Sequence, residues 1–173
     1  ITPRIIRAID GVEQPVEGGE DIGIAPAHMD LIREGMYRGN NSGRGTAFGS
    51  RVPSAEYTIA GKTGTSQVRN ITAAERARGV TRNEDLPWER RDHALFVNFA
   101  PYDAPKIAVS VIVEHGGGGS RAAAPIARDI TLQTLFGDDP PLEAYPPKDR
   151  EQISAQQERL RNMRPANGDT GRD

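Results

Sequence analysis

Residues 94–100 and 106–113 form two apolar runs with only Pro101-Tyr102-Asp103-Ala104-Pro105 between them. Five residues are too few for a parallel crossover, which needs about a dozen, so the runs must meet as an antiparallel hairpin. In the first run Leu95, Val97 and Phe99 alternate onto one face. In the second Ile107, Val109, Val111 and Val113 do the same, and all four are β-branched. The pair is expected to hold most of the local core. A third strand is expected over 57–65, where Tyr57, Thr58 and Ile59 lead into Gly61-Lys62-Thr63-Gly64-Thr65.

Helical patterns flank these strands. One opens at Pro26, carries Met29, Ile32 and Met36 at helical spacing, and stops at Gly39-Asn40. A loop with one helical turn around Thr46 follows. The second helix is expected from about Arg121 to Phe136, after a glycine run at 116–119 that reads as a flexible link. Its inward stripe is read as Ala123, Ile126, Ala127, Ile130 and Thr134, with Pro125 near its first turn and Gly137 as its cap. The first 25 residues, rich in glycine and proline, read as loop with a short ribbon. Residues 69–92 hold eleven charged side chains, too polar for a central strand. They read as a long insertion anchored by Trp88. From Asp138 onward, Pro140-Pro141, Pro146-Pro147 and many charges mark a disordered polar tail, in which 151–163 offers a helix only Ile153, Leu160 and Met163. The expected organisation is a folded part over 1–137 and a tail over 138–173. The fold class is α+β, an antiparallel sheet covered by helices.

Composition narrows the function classes. The chain has 173 residues, with 22 Lys+Arg against 24 Asp+Glu, a balance that gives no pull toward nucleic acid. Without cysteine there is no disulfide, thiolate metal site or thiol nucleophile. The three histidines, His28, His93 and His115, show no ligand spacing, so neither metal nor cofactor is expected. No run of 18 apolar residues occurs. The chain opens on Ile1 rather than Met, and the expectation is a piece of a longer protein.

Gly61-Lys62-Thr63 looks at first like the end of a phosphate-binding loop. That pattern needs glycine five positions earlier, where Glu56 stands, and it needs a helix after the lysine, where Gly64 follows. The other reading is the Lys-Thr-Gly element of serine acyl-transferases that react with penicillin. Three residues alone fit an ordinary surface strand with a turn; the order of the surrounding segments decides. Gly45-Thr46-Ala47, residues 60–68, the charged insertion, residues 92–101, residues 106–114 and Ala122-Ala123-Ala124-Pro125-Ile126-Ala127 follow one another. Together, over roughly Ala25 to Phe136, they resemble the C-terminal part of the transpeptidase domain of class B penicillin-binding proteins. The short link 114–120 resembles the cell-elongation branch of that class. The division branch is the alternative, and a non-catalytic module of the same fold is a further one. Serine β-lactamases share Lys-Thr-Gly but would not be expected to carry the 69–92 insertion.

The resemblance implies a penicillin-binding, serine β-lactamase-like fold and a peptidoglycan D,D-transpeptidase working through a serine acyl-enzyme. It implies Lys62 and Thr65 as catalytic residues and Thr63, Gly64 and Thr65 as substrate-binding residues. Lys62 would place a positive charge near the nucleophile and the substrate carboxylate. Thr63 and Thr65, two apart on a strand, would both donate to that carboxylate. The Thr65 N–H would be one donor of an oxyanion hole, whose loss typically costs about 3 kcal/mol of barrier stabilisation. The implied partners are D-Ala-D-Ala stem peptides, β-lactams, the remainder of the chain's own transpeptidase domain, a SEDS-type glycosyltransferase and elongation scaffold proteins. The implied location is the periplasmic face of the inner membrane. The family also needs Ser-x-x-Lys and Ser-x-Asn. None of Ser42, Ser50, Ser54, Ser66, Ser110, Ser120 and Ser154 has Lys three or Asn two residues on, so both motifs are expected outside this chain.

Overall fold

The computed structural model describes residues 5–15 and 18–163, and the chain divides into two compact units, 1–32 and 33–173. In the first unit, β1 (Ala8–Ile9) and β2 (Val12–Glu13) form a small antiparallel hairpin. Its two-residue turn is Asp10-Gly11, both at positive φ (50 and 80), the backbone such hairpin turns require. An exposed Arg7–Glu13 ion pair of 2.8 Å closes its open end. Helix α1 (Pro26–Asn41) starts with proline at its first position, where the missing N–H costs nothing.

The second unit is built on a three-stranded antiparallel sheet in the order β3 (Ala60–Ser66), β4 (His93–Ala100), β5 (Ile107–Val113). The 101–105 connection closes the β4–β5 hairpin, with the Lys106 N–H donating to the Ala100 carbonyl at 2.9 Å. One face of the sheet carries Ala94, Phe96, Asn98 and Ala100, all buried, paired across to Val113, Val111, Val109 and Ile107. This is the core face. The larger apolar row Leu95, Val97 and Phe99 lies on the other side, where Val97 is 43% exposed and Ile112 of β5 62% exposed. Residue size explains the choice. Helix α3 (Gly119–Phe136) lies close on the sheet through Ala123, Ala124 and Ala127, and small side chains on both layers allow that approach.

The inward stripe of α3 differs accordingly from the sequence expectation. Ala123 and Ala127 are buried, but Ile126 and Ile130 are each 43% exposed and Thr134 is exposed. Arg128, Thr131 and Leu132 are buried instead. Pro125 is not near the helix start, because the helix opens at Gly119, two residues earlier than expected, and the ring sits within it. Asn98 crosses the core to donate from Nδ2 to the Thr131 hydroxyl at 2.9 Å.

The chain from 138 to 163 is folded, contrary to the disordered tail expected there. Short 3-10 turns at Leu142–Ala144 and Pro147–Asp149 lead into α4 (Arg150–Met163). Ala144, Tyr145 and Ile153 join Val52, Ile59, Ala100 and Leu132 in one cluster. Arg128, its side chain 4% exposed, reaches Asp149 at 2.6 Å and Asp129 at 2.8 Å, and stacks over the Tyr145 ring. Burial opposes the Arg128 charge, but the two aspartates more than offset this, leaving its pKa raised. Burial pushes the Tyr145 phenol up to about 12. A count of prolines and charges misses this segment because its few apolar groups meet partners supplied by α3 and the sheet. Residues 164–173 of the expected tail lie outside the described residues.

Candidate active site

Strand β3 is an edge of the sheet and presents the Lys-Thr-Gly segment along it. Its register pairs Lys62 with Val97, Thr63 with Phe96, Gly64 with Leu95 and Thr65 with Ala94. Thr63 and Thr65 therefore share one face of the strand, and Lys62 and Gly64 the other. Lys62 and Thr65 are exposed, while Thr63 and Gly64 are half-buried. The Lys62 ammonium donates to the Thr63 carbonyl at 2.6 Å, which holds its charge against the strand.

The sequence assigned no site role to Thr46, the partner of Thr63. Their hydroxyl oxygens lie 3.0 Å apart. The 45–47 segment is built to put it there. A Cβ on Gly45 would lie 2.4 Å from the Gly39 carbonyl oxygen, so only glycine fits against the end of α1. The Ala47 N–H then donates to that same Gly39 carbonyl at 3.0 Å, and Ala47 is buried. The sequence signal was the spacing of Gly45-Thr46-Ala47 before the strand, but the contact is tertiary.

Helix α3 braces the strand from the core side. A Cβ on Gly119 would stand 2.2 Å from the Leu95 oxygen and 2.5 Å from the Gly64 oxygen, so the first residue of α3 rests on the backbone of the motif itself. Gly119, the last of the glycine run, is consequently a fitted contact rather than part of a flexible link.

The charged insertion is ordered around polar anchors. Arg69 makes two hydrogen bonds to Glu75, at 2.7 and 2.6 Å, with side-chain exposures of only 11% and 19%. These bonds hold the Glu75 carboxyl down to about 2, against an ordinary 4.5. Thr72 caps the short helix α2 (Ala73–Arg78) by accepting from the Glu75 N–H at 3.2 Å. Trp88, expected to anchor the insertion, is 55% exposed and touches the His115 ring, centroids 4.4 Å apart. The aromatic was the obvious anchor in the sequence, but ion pairs and amide bonds hold this segment instead. A recess of about 340 Å³ opens between the insertion and the 115–118 turn, beside Asn83, Arg91, His115 and Arg121. A recess of about 380 Å³ lies between α3 and α4 around Arg128 and Lys148, lined by no residue of β3. Among the described residues, no group of three or more His, Asp or Glu is arranged to hold a metal ion.

Lys62, Thr63 and Thr65 thus lie along one edge strand, with the start of α3 seated against its backbone. Residues 1–132 match the penicillin binding protein transpeptidase domain, and the chain belongs to that family. Its likeness within the class runs to the PBP2 members. It is 36% identical over 166 residues to the peptidoglycan D,D-transpeptidase MrdA of Haemophilus influenzae, covering 92% of this chain and 25% of that protein. It is 39% identical over 117 residues to MrdA of Escherichia coli K12, covering 67% of this chain and 17% of that one. The crystal structure of Pseudomonas aeruginosa PBP2 in complex with WCK 5153 superposes with a TM-score of 0.53 at 36% identity, over 75% of this chain and 25% of that one. The chain spans about a quarter or less of the length of these relatives.

Proposed function

We propose that this chain is the Lys-Thr-Gly wall of a peptidoglycan D,D-transpeptidase of the cell-elongation type, whose Ser-x-x-Lys and Ser-x-Asn segments lie elsewhere in the full-length protein. The observation that carries this reading is the edge strand Lys62–Thr65, with the Thr63 hydroxyl paired to Thr46 and α3 seated on Gly64. The serine hydroxyl attacks the D-Ala-D-Ala amide carbon of a stem peptide. The C–N bond breaks, and the terminal D-Ala leaves with the proton lost by the serine. A second stem's amine then displaces the serine and forms the cross-link. Thr63 and Thr65 donate to the substrate carboxylate, and Lys62 supplies the positive charge beside it. The Thr65 N–H stabilises the oxyanion in each step. β-Lactams acylate the same serine because they present the same carboxylate and a strained amide.

The substrate site then faces the periplasm from the inner membrane, with a glycosyltransferase and elongation scaffold proteins as partners. Among the described residues no helix is long and apolar enough to cross a membrane. Labelling of the full-length protein with a fluorescent penicillin tests the reading. We expect a covalent band, slowed about 100-fold by Lys62→Ala. A folded protein that takes no label would leave only a non-catalytic module.

A further inference from the structure

On the basis of the proposed transpeptidase function, we infer that Asp92 is a positioning residue that ties the end of the Lys-Thr-Gly strand to the 69–92 insertion and to the turn that starts α3. Three segments meet at this one residue. Its Oδ1 accepts from the Val68 N–H at 3.3 Å, just beyond the end of β3. Its Oδ2 accepts from Asn83 Nδ2 at 3.0 Å, and its own N–H donates back to Asn83 Oδ1 at 2.8 Å. Its carbonyl accepts from the Gly117 N–H at 2.8 Å.

The neighbours extend the same knot. The Arg91 carbonyl lies 3.0 Å from His115 Nδ1, and the His115 N–H donates to His93 Nδ1 at 2.9 Å. Through Val68, Asp92 acts three residues beyond Thr65. Through Gly117, it acts two residues before Gly119, which rests on the Gly64 backbone. The stretch Gly64–Thr65 is thus held from both directions by one side chain and its main chain. Asn83 and Asp92 are half-buried and contribute little apolar packing. Loss of the carboxylate therefore shifts cleft geometry more than it weakens the fold. Small displacements at a reacting centre are costly, with about 1 Å worth up to ~100-fold in rate.

The two side chains are an amide and a carboxylate in reciprocal contact, so exchanging them keeps every hydrogen bond. In the double variant Asp92→Asn with Asn83→Asp, the new amide oxygen at 92 accepts from Val68. Its NH2 donates to the new carboxylate at 83, which in turn accepts from the 92 main-chain N–H.

The test uses the full-length protein with a fluorescent penicillin, separating the acylation rate constant from the initial binding constant. Amide exchange at Val68 is followed alongside. We expect Asp92→Ala to slow acylation about tenfold with little change in initial binding, and to remove protection at the Val68 N–H. The exchanged double variant should regain both to within about threefold, while Asp92→Asn and Asn83→Asp alone should not. Wild-type acylation by Asp92→Ala would overturn the proposal, as would a double variant no better than its two singles. Wild-type protein that is folded but unlabelled would strike the transpeptidase reading instead. The Val68 exchange pattern would then still decide whether Asp92 makes this tie.

Discussion

Replacing Gly119 with alanine probes the contact between α3 and the Lys-Thr-Gly strand with a single methyl group. The new Cβ would stand 2.2 Å from the Leu95 oxygen and 2.5 Å from the Gly64 oxygen. Carbon and carbonyl oxygen settle at about 3.3 Å or more, so about 1 Å must be found on each side. Both oxygens belong to backbone within the β3–β4 ladder and cannot swing away as a side chain would. The helix start must retreat, which loosens Ala123, Ala124 and Ala127 against Ala94 and Phe96. A gap of 0.5–1 Å forfeits roughly a quarter to a half of each such contact. Overpacking of this kind costs about 1–3 kcal/mol, and alanine regains at most about 1 kcal/mol of helix propensity. The expected net loss is about 1 kcal/mol, or roughly 2–4 °C in Tm for a domain of 150–250 residues. Penicillin acylation should slow as well, because the strained atoms flank Thr65. Gly118→Ala is the matched control, since nothing lies within 4 Å of its Cβ and its φ is -90. Thermal melting and acylation of the full-length variants decide the matter. A Gly119→Ala protein that melts like wild type, or a Gly118→Ala protein that is equally impaired, would refute this role for the α3–strand contact.

Three other outcomes follow from the geometry. Leu132→Ala, at a fully buried position in the cluster with Ile59 and Tyr145, should lose about 2–5 kcal/mol in a denaturant titration. Truncation after Gly137 should destabilise by about 3 kcal/mol or more, because Arg128 loses Asp149 and the core loses Tyr145 and Ile153; an unchanged melt would restore the disordered-tail reading. The Glu75 carboxyl sits at about 2 when folded and 4.5 when free, so its depressed value stabilises the insertion above pH 4.5. That contribution declines as pH falls from there toward 2 and is flat from 6 to 8. Protection of the Thr81 N–H, which donates to Glu75 at 3.3 Å, should follow that curve, and Glu75→Gln should flatten it.

Much of the sheet was legible because its signals are local. The 101–105 turn is too short for anything but a hairpin, and β4 and β5 begin within one residue of their expected starts. The Lys-Thr-Gly strand was legible from residue order. Thr46 was not, since its partner lies 17 residues on and no periodicity joins a loop hydroxyl to a strand. The insertion was legible as an insertion, but its anchors were not. Trp88 carries the strongest apolar signal, yet Arg69–Glu75 and Asn83–Asp92 hold the segment, and reciprocal polar pairs have no sequence period.

By itself, the sequence determined strand pairing, the family and the identity of the motif, because turn length, alternation and motif order are properties of contiguous residues. The tertiary structure alone decided which face of β4 is the core, which row of α3 is buried and whether 138–163 is folded. Those depend on the size and placement of residues far apart in the chain. The alanines of α3 take the Ala94–Phe96 face because small groups on both layers let helix and sheet approach. The polar C-terminal segment folds because Arg128, Leu132 and Ile59 stand where Asp149, Tyr145 and Ile153 can reach them.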